Sequence, residues 1–340
     1  MDKLLLDPHS RKLEDIFPPE DLERLGDLVE LLWGSNDPMP EEEARAAKRE
    51  AAFIVTGRWR YGGVDEEEAP LLRAVMEVSG SHPPPRELDY ETCFRRSIRV
   101  LSCAPAFAPY VAELALGLAI AAGRDIVNAD REMRTVGPLP ASQRASGRRW
   151  AYSDVSPLYG QPVGIIGYGN LGRALRPLLT PFGSSVGVYD PWLPASALQR
   201  QGLAPVSLEQ LLKTSRFIFV TAAPSAENRA LLSRSMLERI ARDAVLVLVS
   251  RAHLVDFDAL VELADAGRFT AAIDVYPEEP LPDDHPARRA KNVILTPHLA
   301  GAPGRRDIGG LVTDDVEAMV RGLPPMRMQP AQPEIIRRRG

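Results

Sequence analysis

Short runs of Leu, Ile, Val and Ala, fenced by Asp, Pro, Gly and Ser, alternate along this chain with longer stretches of helical spacing. In the first hundred residues Leu4-Leu5-Leu6, Leu28–Leu32, Ala52–Val55 and Arg99–Leu101 read as strands. Asp7-Pro8, Gly34-Ser35-Asn36 and Ala104-Pro105 punctuate them. Between them, 19–26 and 40–50 have helical spacing, the second opening on Pro40-Glu41-Glu42-Glu43. A breaker-poor stretch from Tyr110 to Met133 predicts one long helix, and Gly137 to Trp150 reads as loop. Then the alternation resumes, with strands predicted at Val163–Gly167, Ser185–Tyr189, Phe217–Val220, Ala244–Val249, Thr270–Asp274 and Val293–Leu295. A last helix is expected over 305–321, before a Pro-rich, basic tail that reads as loose. Such alternation predicts α/β architecture: doubly wound parallel sheets with helices on both faces and ligands at the carboxyl ends of strands.

Composition narrows the class. The 340 residues are 45% hydrophobic and 26% charged, which suits two globular domains and excludes a disordered or collagen-like chain. A net charge of −5 speaks against a nucleic-acid-binding surface. Neither a bilayer span nor a signal peptide is expected, because no uninterrupted apolar run reaches about 18 residues. Only Cys93 and Cys103 are present, which points to reduced thiols in a cytoplasmic protein. Two cysteines and five histidines leave little material for a metal site, and none is expected.

Gly167-Tyr168-Gly169-Asn170-Leu171-Gly172 fits the G-x-G-x-x-G pattern, and it sits between a predicted strand and a predicted helix. Gly167 permits the tight turn, Gly169 lets backbone approach a pyrophosphate, and Gly172 lets helix pack on strand. The helix N-terminus at Asn170 and Leu171 favours an anion. Asp190, 18 residues beyond Gly172, ends the next strand, where its carboxylate would accept from ribose hydroxyls and repel a 2′-phosphate. NAD is therefore the expected cofactor. Ala222, just past the Phe217–Val220 strand, joins the expected cofactor-binding set.

Three further segments place polar groups after strands: Ser250-Arg251-Ala252-His253, Asp274-Val275-Tyr276-Pro277-Glu278-Glu279-Pro280, and Thr296-Pro297-His298-Leu299-Ala300-Gly301. With the glycine turn they closely resemble the D-isomer-specific 2-hydroxyacid dehydrogenases, from about Ala112 to Gly301. The resemblance implies a Rossmann NAD-binding domain over 109–301 and a flavodoxin-like substrate domain from 1–108 plus 302–340, with a cleft between. It implies that Arg251 binds the substrate carboxylate, that His298 is the acid/base at the substrate oxygen, and that Glu279 pairs with that histidine. Asp274 and Gly301 fall where the family holds the nicotinamide carboxamide. A homodimer built on the 110–150 region is implied as well, with a 2-hydroxyacid or 2-ketoacid as the small-molecule partner.

The residue types suit the chemistry. Moving a hydride between carbon and nicotinamide requires a proton to move at the substrate oxygen, and histidine titrates near neutrality. A carboxylate beside it fixes the ring tautomer, and a guanidinium forks onto a planar carboxylate. Taken singly, Glu279 could be solvated surface, His298 a loop residue and Arg251 a partner for Asp256. An NAD(H)-sensing corepressor of the same fold, or a relative oxidising phosphite, would keep the same motifs.

The first domain departs from the family. The family's Gly-rich substrate loop grips the carboxylate with backbone N–H groups. Here the corresponding stretch is Met76 to Pro85, where three successive prolines lack donors and Ser79, Gly80, Ser81 and His82 are the remaining candidates. Upstream, Thr56-Gly57-Arg58-Trp59-Arg60-Tyr61 offers two arginines. They suggest a second anionic or bulky polar group on the substrate read by Arg58 or Arg60; a solvated basic loop is the alternative.

Overall fold

Parallel strands buried on both faces need apolar residues at every position, and the β-branched and aromatic runs of this chain supply them. The computed structural model describes residues 1–9, 11–135 and 155–337, so the loop expected at 137–150 lies outside them. Packing divides the chain into two units. The first is Met1–Tyr110 with Ser225–Glu227 and Gly301–Gly340; the second is Val111–Pro224 with Asn228–Ala300.

Five parallel strands form the sheet of the first unit: β1 Lys3–Asp7, β2 Glu30–Trp33, β3 Phe53–Thr56, β4 Ala74–Glu77 and β5 Arg99–Ser102. Their order is β2-β1-β3-β4-β5, the flavodoxin-like order, and Gln329–Pro330 adds an antiparallel edge on β5. Residues two apart share a face. Leu4, Leu6, Phe53, Val55, Met76 and Leu101 therefore pack one way, against Leu25, Leu311, Val312 and Val316. Leu5, Ile54, Val75 and Val100 point the other way, onto Tyr61, Leu88 and Cys93.

Three expectations are corrected here. β4 was not foreseen, and Met76 and Glu77 belong to it rather than to a loop: a charged residue interrupts the apolar run and hides the strand. The single long helix is two, Ala104–Gly123 and Ile126–Thr135, separated where Asp125 turns to φ 52°. The first starts early because its Pro109 is tolerated inside it. That 20-residue helix is apolar and long enough to cross a membrane by length and composition; Val111, Ala112, Ala115, Leu118 and Ala119 are buried in protein. The tail is not loose through Arg337. Buried Asp315 accepts the amides of Met326, Arg327 and Met328 at 2.7, 2.9 and 2.7 Å, and Ile336 is buried beyond them. Helix Ile308–Val320, which carries Asp315, packs on helix Pro19–Leu28, where Arg24 reaches both Asp314 and Glu317 at 2.6 Å.

The second unit holds β6 Val163–Ile166, β7 Val186–Tyr189, β8 Ala204–Pro205, β9 Phe217–Val220, β10 Val245–Leu248, β11 Thr270–Ile273 and β12 Val293–Leu295. All are parallel, in the order β8-β7-β6-β9-β10-β11-β12. This is the doubly wound dinucleotide-binding order extended by one strand, and it reverses direction between β6 and β9. The short edge strand β8 had no sequence signal.

Candidate active site

The glycine turn leaves β6 at that reversal point. Gly167 has φ +89°, and a Cβ there would lie 2.3 Å from the Cα of Ala222, at the end of the neighbouring β9. Only glycine fits. Thr221 ties the same corner, its hydroxyl donating to the Gly167 carbonyl at 2.6 Å. A Cβ on Gly172 would press to 2.6 Å from that carbonyl oxygen, so this glycine sets how close the helix Asn170–Leu179 packs on the strand. Gly169, by contrast, faces open space, with nothing within 4 Å of a would-be Cβ. It is also the N-cap of that helix and offers no side-chain acceptor to the helix's first amides. An open face on first-turn N–H groups fits a pyrophosphate.

Asp190 follows β7 directly. One carboxylate oxygen accepts the amide of Tyr168 at 2.8 Å and the other that of Trp192 at 3.0 Å. A carboxylate has about four lone-pair sites, so capacity remains on both oxygens for a ribose diol. The Arg173 guanidinium lies 5.3 Å from the centre of the Tyr168 ring, stiffening the turn. These residues fit NAD.

Beyond the turn, strand ends deliver the other groups. Arg251 follows β10, and Glu279 follows β11 on a Pro-rich turn with a cis Glu279–Pro280 peptide. His298 follows β12. Its Nδ1 lies 2.6 Å from Oε2 of Glu279, whose Oε1 accepts the Tyr276 amide at 3.0 Å. Burial raises the Glu279 pKa, but the hydrogen bonds from His298 and the Tyr276 amide outweigh it and hold the carboxyl below its usual range. Desolvation lowers the pKa of Arg251, and Glu279 opposes that shift, so guanidinium, carboxylate and imidazole share one field. Arg251 donates to the Ser250 carbonyl at 2.7 Å, while Asp256 caps the helix Phe257–Asp265 through the Ala259 amide. Among the described residues Arg251 and Asp256 form no ion pair. Ala252 does not adopt positive φ and starts a short 3-10 turn.

Asp274 is fully buried, and its contacts were not legible in the sequence. One oxygen accepts the Thr296 hydroxyl at 2.6 Å and the Leu299 amide at 3.1 Å; the other accepts the Ala300 amide at 3.0 Å. The carboxylate thus stitches β11 to the loop carrying His298, which adopts φ +51°, uncommon outside glycine.

In the first unit, the proposed substrate residues separate. Arg60 is held by Asp7 and by the Met39 carbonyl, both at 2.5 Å. Tyr61 donates to the same Asp7 at 2.7 Å, so the β1/β3 end of this sheet is plugged by its own polar network. That guanidinium is committed to the fold. Arg58 is exposed, 3.7 Å from Glu87. In the 79–81 turn, the amides of Ser79 and Ser81 donate to buried Glu77 at 3.0 and 3.3 Å. Two of the donors expected to meet a substrate thus face the protein instead.

A family model described as "D-isomer specific 2-hydroxyacid dehydrogenase, NAD binding domain" matches residues 116–300. A glyoxylate reductase of Korarchaeum cryptofilum is 30% identical over 269 residues, 76% of each chain. A D-3-phosphoglycerate dehydrogenase of Methanocaldococcus jannaschii is 29% identical over 239 residues, 69% of this chain but 44% of its own length. The chain therefore spans about half of the longer curated relatives it matches. Among solved structures, a phosphoglycerate oxidoreductase from Rhizobium etli is 35% identical with a TM-score of 0.82, covering 98% of this chain and 99% of its own. The glycine turn at the sheet's reversal point, the polar strand ends and these matches agree: the chain belongs to the D-isomer specific 2-hydroxyacid dehydrogenase family and uses NAD as its cofactor.

Proposed function

We propose that this protein is an NAD(H)-dependent D-2-hydroxyacid dehydrogenase, working as a reductase of 2-ketoacids. The observation carrying the proposal is the 2.6 Å contact between His298 Nδ1 and Glu279, in the field of Arg251. A carboxylate held ionised can only accept, so Nδ1 must carry a hydrogen. Nε2 is then the working atom. As imidazolium, His298 donates from Nε2 to the carbonyl oxygen of a ketoacid; in the reverse direction neutral Nε2 takes the hydroxyl proton. Glu279 stabilises the charged ring and fixes its tautomer. Arg251 forks onto the substrate carboxylate and polarises the adjacent carbonyl. When bound, the dinucleotide supplies or receives the hydride. Gly167, Gly169, Asn170, Leu171, Gly172, Asp190, Ala222 and Gly301 complete its proposed site. Asp274 acts mainly by holding the His298 loop.

Replacing His298 by Ala is expected to lower kcat about a thousandfold while NADH affinity stays within about threefold, read by stopped-flow turnover and fluorescence titration. Loss of both would contradict the role of the histidine. NADH binding with no turnover on any 2-ketoacid by the unmodified protein would favour a sensor instead.

A homodimer is part of the proposal. Ile126, Val127 and Met133 leave apolar surface exposed on helix Ile126–Thr135, which suits a second copy. A cytoplasmic location is proposed from the two buried, unpaired cysteines. Light scattering at micromolar concentration tests the dimer; a monomer there would reject it.

A further inference from the structure

The foot of the first sheet carries a cavity of its own. It lies at the amino ends of β4 and β5, against the last turn of helix Ile308–Val320, and measures about 350 Å³. That is the size of a small-molecule site. Leu72 and Met319 are buried in its wall, and Leu323 is 58% exposed there. Arg73, Arg96 and Arg99 line it as well, and no carboxylate does. Two of the three guanidinia are held in place. Arg73 lies 5.1 Å from the centre of the Phe53 ring and donates to Asp2 at 2.6 Å and to the Met319 carbonyl. Two of its five N–H donors are thereby used, and the others remain. Arg96 donates to the carbonyls of Val64, Asp65, Ala69 and Pro70, which carry no net charge to balance it. Arg99 is set beside them because its amide donates to the Arg73 carbonyl at 2.9 Å. Among the described residues its exposed side chain has no hydrogen-bond or ion-pair partner. Ser97, exposed and also lining the cavity, adopts φ 60° where the chain turns from helix Tyr90–Arg95 into β5. Asp2 alone, against three guanidinia, leaves a local excess of two positive charges over an otherwise apolar wall. A dianion on an apolar body matches both features, and guanidinium forks fit phosphate oxygens.

We propose that this cavity is an accessory binding site for a small phosphomonoester, with the phosphate on Arg73, Arg96 and Arg99 and an apolar body on Leu72, Met319 and Leu323. Every residue in it belongs to the first unit, and it stands at the opposite end of β4 from the 79–81 turn. It is therefore independent of the reductase reading.

Calorimetry on the full chain saturated with NADH tests the site, since the dinucleotide then occupies the glycine turn. The probes are phenyl phosphate, benzoate and inorganic phosphate, at low salt and about pH 8, where a phosphomonoester is doubly charged. Phenyl phosphate is expected to bind at least about fivefold tighter than either of the others, because only it combines two charges with an apolar body. Arg99→Gln should weaken phenyl phosphate at least about fivefold, with the melting curve and NADH affinity unchanged, since that side chain holds nothing in the fold. Leu323→Gln should weaken phenyl phosphate about threefold and leave inorganic phosphate as it was. Phenyl phosphate affinity that survives Arg99→Gln belongs to another site and overturns the proposal. Benzoate or inorganic phosphate binding as tightly as phenyl phosphate overturns it too.

Discussion

Three buried carboxylates in this protein hold backbone in place, Asp274 and Glu77 at strand ends and Asp315 from within a helix. Asp274 gathers the 296–300 loop, Asp315 the 326–328 segment and Glu77 the 79–81 turn. Glu77 also responds to pH. Burial pushes its pKa up to about 7, while the turn's amides pull the other way without prevailing. An acid whose folded pKa lies above its unfolded value stabilises the fold when protonated. That contribution is complete below the ordinary glutamate pKa of about 4.5 and is lost as pH rises through about 7. The unmodified protein should therefore lose thermal stability between pH 5 and pH 8 more steeply than Glu77→Gln. Parallel melting curves across that window check it; identical slopes would show that Glu77 ionises normally. Glu77 also explains the misplaced loop. A carboxylate inside an apolar run looks like a loop residue until its amide partners are seen.

At the scale of elements, the nucleotide half was the more legible. Its predicted strands are apolar runs that end in glycine, aspartate, serine or threonine, and every predicted one formed. Gly167, Asp190, Arg251, Glu279 and His298 could be located because each follows such a run. Asp274 was located too, but its three partners come from a loop more than twenty residues away, which spacing does not encode. In the first unit the signals were weaker: β4 hides a charge, Pro109 looks like a helix breaker, and the tail's packing depends on a carboxylate in another element. Two substitutions probe these elements. Gly167→Ala should cost about 2–3 kcal/mol and abolish NADH binding, since positive φ and the Ala222 contact both oppose it. A circular-dichroism melt with an NADH titration measures both effects. Asp315→Ala should cost about 2 kcal/mol by orphaning the amides at 326–328. Limited proteolysis should then cut near Met326 first; an unchanged digest would place the tail's anchor elsewhere.

At the scale of the whole chain, the first unit is built from both ends of the sequence and the second from the middle. Deleting 301–340 removes the helix on which Pro19–Leu28 packs and the strand that covers the β5 edge. The expected outcome is a protein whose second unit still binds NADH while residues 1–110 become protease-sensitive. Survival of the amino-terminal fragment would show that it folds without its closing pieces. The discontinuity also has a bearing on synthesis. A ribosome releasing this chain finishes the dinucleotide-binding half while the half that was started first still lacks its last helix and edge strand. Leu25 and its neighbours must wait, uncovered, for residues translated almost three hundred positions later. The amino-terminal portion is thus the natural client for a chaperone, and a tag or truncation at the carboxyl end disturbs the part of the protein that was begun earliest.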